Sequence, residues 1–220
     1  LRREERKPIY LAMADALARL HIADWRTLGL SDYGRPGSYF ARQVARWSKQ
    51  WQNSRCRENP AVDKLAEWLP RHIPPGDEDT AIVHGDFRLD NVMFHPSEPR
   101  VIAIFDWELS TLGHPLADLA YTCIRYRLPS SLYGGMMDLD LAELGLPDEN
   151  EFLDAYRARS GREAVLTPLH FAFSLFRIAG ILEGVYARAL TGNASSGDDA
   201  LRAASVAIAL ADRGWEIANE

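Results

Sequence analysis

The stretch from Ala81 to Asn91, A-I-V-H-G-D-F-R-L-D-N, constrains this chain more than any other. Three apolar residues run into His84-Gly85-Asp86, and Asn91 follows five positions after the aspartate. A short apolar run at 92–94 and a turn at His95-Pro96-Ser97-Glu98-Pro99 lead to a second run, Val101-Ile102-Ala103-Ile104-Phe105, ended by Asp106-Trp107-Glu108. Residues 81–83, 92–94 and 101–105 are short, β-prone and bounded by breakers, so they read as strands. Nothing else in the chain reads convincingly as strand. A carboxylate, a carboxamide and a second carboxylate are therefore expected on short strands and their loops.

The remainder reads as helix. Ile9, Ala12, Met13, Ala16, Leu17 and Leu20 follow the i, i+3, i+4, i+7 pattern, with Pro8 in the expected first turn. Thr27 to Gly37, with three glycines and a proline, is a loop. A second helix opens near Ser38 and carries Phe40, Val44, Trp47 and Trp51 on one stripe, and Pro60 begins a third with Val62, Leu65, Ala66 and Leu69. Pro70 to Asp79 is a breaker-rich, acidic connection. Further helices are expected over about 115–126, 148–159, 167–190 and 198–218, with 134–145 left between loop and short helix. The fold class is α+β, mostly helical. The 220 residues are taken as one unit, and 81–120 as its reactive core.

Charge and composition exclude some functions. The net charge of −6 argues against a partner recognised through a phosphate backbone, so no nucleic-acid partner is expected. Cys56 and Cys123 have no ligand or redox spacing and read as reduced thiols of a cytoplasmic protein. The charged N-terminus has no apolar region behind it, so it is no signal peptide. Leu169 to Leu190 is long and apolar but carries Arg177, Glu183 and Arg188, which favours a buried helix over a membrane span.

The polar set suits phosphoryl transfer. A hydroxyl attacking a phosphate gains from a carboxylate that orients it and takes its proton, which is the role of Asp86. Asn91 and Asp106 supply the hard oxygens that magnesium prefers, its other positions being left to water and phosphate. His84 fits a structural role, bridging backbone carbonyls beside the loop. Asp118, in the first turn of the helix begun by Pro115, is expected to accept loop N–H groups. Arg88 is a candidate phosphate or substrate contact, as is Arg177, together with Arg125 and Arg127, for an anionic tail. Trp47 and Trp51 either wall a substrate pocket or form core, and helical spacing favours core. The histidines show no zinc-ligand spacing.

The motifs L-A-R-L-H at 17–21, V-H-G-D-F-R-L-D-N at 83–91, I-F-D-W-E at 104–108 and G-H-P-L-A-D-L-A at 113–120 resemble the aminoglycoside phosphotransferase, or choline-kinase-like, superfamily. More closely, Asp32-Tyr33-Gly34, Arg42-Gln43-Val44, Glu67-Trp68-Leu69-Pro70 and the 83–121 block resemble the phosphotransferase domain of the acyl-CoA dehydrogenase 10/11 type. The resemblance implies a kinase-like fold, ATP as co-substrate and Mg²⁺ as cofactor. It makes Asp86 the base, Asn91 and Asp106 the magnesium ligands, and Asp118 structural. His114 departs from the pattern, which has Asp before the proline.

The chain has only Lys7, Lys49 and Lys64, none in a strand pattern, and no G-x-G-x-x-G. The expectation is thus a C-terminal lobe that by itself binds ATP weakly or not at all, with its nucleotide-binding partner lobe upstream of Leu1. The substrate implied is a small molecule with a hydroxyl, such as a hydroxyacyl-CoA, in a protein fused to or associated with an acyl-CoA dehydrogenase. Aminoglycoside- or choline-type kinases are the sister alternatives. A non-catalytic, pseudokinase-like binding module is the alternative of another class. A metal-dependent phosphohydrolase is a weaker one, since it needs a second metal or a nucleophile.

Overall fold

The computed structural model describes residues 1–76, 78–190 and 197–220, without the side chains of 197–200. The chain divides into two compact units. The first comprises Leu1–Gly37, Glu78–Ser130 and Gly134–Val165, and the second Ser38–Asp77, Ser131–Tyr133 and Leu166–Glu220.

The first unit opens with helix α1, Arg3–Ile22. It starts a turn and a half earlier than the apolar pattern predicts, so Pro8 lies inside the helix rather than in its first turn. The reason is local: the Glu5 carboxylate accepts from the Arg2 amide at 2.8 Å, and Glu4 and Glu5 complement the positive helix end. Strand β1, Ala81–Val83, is buried throughout. It pairs antiparallel with β4, Thr111–Gly113, as Ala81↔Gly113, Ile82↔Leu112 and Val83↔Thr111. The sequence reading missed β4, because three residues ending in glycine carry little strand signal of their own; the partner strand and burial supply it. Strands β2, Val92–Phe94, and β3, Val101–Ile104, form a separate antiparallel hairpin with Val92↔Ile104 in register.

Two-stranded ribbons are marginal alone and need a packed face. For β1–β4 that face is a cluster of Trp25, Ile82 and Leu112, with Leu20, Ala23 and Leu30 against it. Gly34 is required there: a Cβ on it would meet Thr111 Oγ1 at 2.4 Å and the Leu112 amide at 2.6 Å. Helix α4, Pro115–Cys123, follows β4 directly, with His114 Nδ1 accepting from the Leu116 amide at 3.2 Å as its N-cap. A 3₁₀ turn over Ile124–Arg127 replaces the expected end of that helix. Helix α5, Leu141–Leu144, settles the ambiguous stretch as loop plus one turn, and α6, Glu149–Ser160, completes the unit.

The second unit is helical: α2, Tyr39–Ser54; α3, Pro60–His72; α7, Pro168–Leu190; and α8, Gly197–Ala218. Tyr39, Phe40, Val44, Trp47 and Trp51 form the buried stripe of α2. Phe40 and Phe173 meet edge to face at 5.1 Å. Helix α7 is long and apolar enough to cross a membrane by length and composition, yet 78% of its apolar window is buried, as a core helix requires. Its one buried carboxylate, Glu183, takes a two-pronged contact from Arg57 at 3.0 and 2.8 Å and a third bond from Asn59 Nδ2 at 3.0 Å. A charge taken out of water needs such complete pairing.

Candidate active site

The expected polar residues around Asp86 all lie in the first unit. Strand β1 ends at Val83, and the chain turns at Gly85 with φ +85°, where a Cβ would meet the Leu109 carbonyl oxygen at 2.7 Å. Only glycine accommodates both conditions. Asp86 follows, partly exposed, and a 3₁₀ turn over Leu89–Asn91 brings Asn91 back to it. Asn91 Nδ2 donates to Asp86 Oδ2 at 2.8 Å and to the Asp86 carbonyl at 2.9 Å. Two acceptors on the nitrogen fix the amide orientation and leave Oδ1 as the oxygen that can face a cation.

Asp106 is tied to this pair through the backbone. The Phe105 amide donates to the Asn91 carbonyl at 2.8 Å, one residue before Asp106. Asp106 itself is exposed and adopts φ 62°, ψ 62°, a left-handed conformation uncommon outside glycine that aspartate and asparagine tolerate best. His84 completes the link. Its Nδ1 accepts from the Asp86 amide at 3.2 Å, so its proton sits on Nε2, which donates to the Phe105 carbonyl at 2.7 Å. Trp107 packs edge-on against the same ring at 4.9 Å. The ring thus joins a backbone amide of the loop to one carbonyl, where a bridge between carbonyls was expected.

Asp118 is buried, and its carboxylate accepts from the His84 amide at 2.5 Å and the Gly85 amide at 2.8 Å. His21 Nε2 lies 3.4 Å away on α1, and His21 Nδ1 is 2.7 Å from the Tyr156 hydroxyl. Burial pushes the Asp118 carboxyl up, but the His21 contact and the two loop N–H groups outweigh it and hold it below its ordinary value. The L-A-R-L-H motif thus ends on a residue that steadies the loop anchor.

Arg88 Nε sits 3.6 Å from Asp86 Oδ2 and 3.7 Å from Asp90 Oδ2. Arg127 pairs with Glu149 at 2.5 Å, and Arg125 Nη1 donates to the Gly134 carbonyl at 3.2 Å. Trp47, Trp51 and Arg177 belong to the second unit. Both indoles are buried there; Trp51 Nε1 donates to Asp63 at 2.8 Å, and the buried Arg177 guanidinium lies 5.9 Å from the Trp47 ring centre.

Two contacts to the loop escaped the sequence reading. The Tyr121 hydroxyl donates to Asp86 Oδ1, and Thr122 Oγ1 donates to the Phe87 carbonyl at 2.9 Å. Both lie on α4, at i+3 and i+4 from Asp118, so that residue's expected orientation toward the loop was the signal that pointed to them.

Among the described residues, no group of three His, Cys, Asp or Glu side chains is placed to hold a metal. A magnesium ion that keeps waters and phosphate oxygens needs no such group; an Asn and an Asp with hard oxygens, held on adjacent strand ends, fit it. With this loop, strand pair and anchoring helix, the geometry is that of a kinase-like phosphotransferase. The phosphotransferase enzyme family (APH) matches residues 1–161, and the chain belongs to it. Two relatives place it more narrowly. It is 42% identical over 218 residues to acyl-CoA dehydrogenase family member 10 of Mus musculus and 43% identical over 221 residues to family member 11 of Gallus gallus. The matches cover 98% of this chain but only 20% and 28% of those proteins, in which the region is one domain. A crystal structure of an aminoglycoside-phosphotransferase-like protein from Ralstonia eutropha superposes with TM-score 0.93 at 48% identity, covering all of this chain and 67% of that one.

Proposed function

We propose that residues 1–220 are the C-terminal lobe of a small-molecule kinase that moves the γ-phosphate of ATP to a hydroxyl group, with 81–120 as its catalytic core. The observation that carries this reading is the direct bond between Asp86 and Asn91, with Asp106 one residue beyond the backbone bond that joins its strand to Asn91. Asp86 aligns the incoming hydroxyl and accepts its proton. Asn91 Oδ1 and the Asp106 carboxylate hold magnesium, which when bound offsets the charge of the transferred phosphoryl group. Arg88, beside Asp86, is placed to meet a phosphate oxygen or an acidic substrate group.

The nucleotide base is assigned to a lobe upstream of Leu1. Met93, Ile102 and Phe105 on and just after the β2–β3 hairpin are each close to half exposed and give such a lobe an apolar seat. The acceptor is taken to be a hydroxyacyl-CoA, such as a 4-hydroxyacyl-CoA; the relatives' names, acyl-CoA dehydrogenase family members, agree with an acyl-CoA ligand and with a dehydrogenase domain in the same protein. The test is ATP turnover by the full-length protein against hydroxyacyl-CoAs and amino alcohols. Turnover with one class and its loss in Asp86→Asn support the assignment; an Asp86→Asn enzyme with wild-type kcat removes it. Residues 1–220 alone are expected to bind Mg-ATP weakly, and submicromolar affinity by titration calorimetry contradicts the two-lobe reading.

A further inference from the structure

Four consecutive loop residues are gripped by one face of one helix. Asp118 takes the amides of His84 and Gly85, and Thr122 shares its hydroxyl hydrogen between the carbonyls of Phe87, at 2.9 Å, and Asp118, at 3.0 Å. Between them, at i+3 from Asp118, the Tyr121 hydroxyl donates to the Asp86 carboxylate itself. Tyr121 is 6% exposed, so little freedom remains to the hydroxyl it carries. We infer that Tyr121 is a positioning residue for Asp86, setting the rotation of the carboxylate that meets the substrate hydroxyl.

Two donors reach Asp86 by different routes. Tyr121 binds Oδ1 and Asn91 Nδ2 binds Oδ2. A carboxylate held at one oxygen swings about its Cβ–Cγ bond; held at both, it presents a single plane. Asn91 is also the proposed magnesium ligand, so its amide answers to the cation as well as to Asp86. Tyr121 has no such second duty in the proposed chemistry. Without its hydroxyl the carboxylate is held at Oδ2 only, by Asn91 and the nearby Arg88 guanidinium, and the alignment of the attacking oxygen loosens. Misalignment of a reacting group lowers the chemical step more than binding.

This inference rests on Asp86 being the base, and the experiment separates the two. Steady-state turnover of Mg-ATP by the full-length protein is measured with water, and with a panel of 4-hydroxyacyl-CoAs, as acceptor. Wild type is compared with Tyr121→Phe, Asp86→Asn and the double variant. Tyr121→Phe is expected to lower kcat about tenfold, with KM for Mg-ATP within about twofold of wild type. It is expected to change nothing further in the Asp86→Asn background, because it acts through that carboxylate. Tyr121→Met removes the hydroxyl by a second route and is expected to show the same split if the Phe variant does not fold. Wild-type kcat in the folded Tyr121 variants alongside a loss in Asp86→Asn overturns the role of Tyr121 and leaves the base assignment standing. So does an equal fold-loss in both backgrounds, or a raised KM at unchanged kcat. Identical behaviour of wild type and Asp86→Asn in every arm overturns the base assignment, and this inference with it.

Discussion

The His84 imidazole reaches the Phe105 carbonyl at 2.7 Å and so ties the loop that carries Asp86 to the strand end that presents Asp106. Both of its ring nitrogens are used, one within the loop and one across to β3. His84→Ala is expected to lower stability by about 2 kcal/mol, since it opens a cavity at a fully buried site and removes the hydrogen bond to the Phe105 carbonyl. His84→Gln, which can still donate to Phe105, is expected to keep more activity than His84→Asn, which can mimic only the Nδ1 side. Turnover and melting temperature of the three variants check this order.

Asn91 and Asp106 are expected to differ in what their loss does. Asp106→Asn removes the charge of a proposed ligand and little else, because the side chain is exposed and asparagine also tolerates the left-handed φ of 62°. It should raise the Mg²⁺ concentration needed for half-maximal turnover at least about tenfold, with stability within about 0.5 kcal/mol of wild type. Asn91→Ala also releases Asp86, so it should lower kcat even at saturating Mg²⁺. Magnesium titrations of turnover separate the two.

Asp118 gives the fold a dependence on pH. Its carboxyl is held below its ordinary value in the folded state, because the His21 contact and two loop amides outweigh burial. The unfolded chain therefore binds the proton more readily than the folded one. The stability this contributes is fully present above about pH 4, the unfolded carboxyl's range, and is lost as pH falls through the lower folded-state value. Asp118→Asn should cost about 3 kcal/mol at neutral pH and flatten the acid limb of the profile. Denaturant unfolding of both proteins between about pH 3 and 7 tests this.

Gly85→Ala puts a methyl group against the Leu109 carbonyl at a positive φ. A destabilisation of about 2 kcal/mol or more, with activity reduced even in the folded fraction, is the expected result. Calorimetric melting with turnover normalised to folded protein measures it.

In the second unit, Glu183→Ala strands the Arg57 guanidinium beside a cavity. A loss of about 3 to 5 kcal/mol is expected. Since the side chain has no part in the proposed chemistry, any folded fraction should keep the wild-type KM for Mg-ATP.

Much of the site was legible because its residues are close together in sequence. Asp86, Asn91 and Asp106 are placed by two short apolar runs with breakers between them, and the role of Asp118 followed from Pro115 at the helix start. Strand β4 was not legible: its three residues become a strand only when β1 lies alongside. Tyr121 was missed for a related reason. It stands 35 residues from Asp86 and three after Asp118, and nothing in its own local pattern separates it from a core residue of that helix. The early start of α1 was hidden because its first turn is held by charges rather than by apolar spacing.

The loop and the helix face that steadies it are encoded in one uninterrupted run, from Val83 to Thr122. A gene rearrangement that carries this run whole delivers the reactive segment together with the helix face that grips it, but not the α1 residue His21 that contacts Asp118. The relatives keep that run inside a matched region of 218 and 221 residues, which is only 20% and 28% of their length.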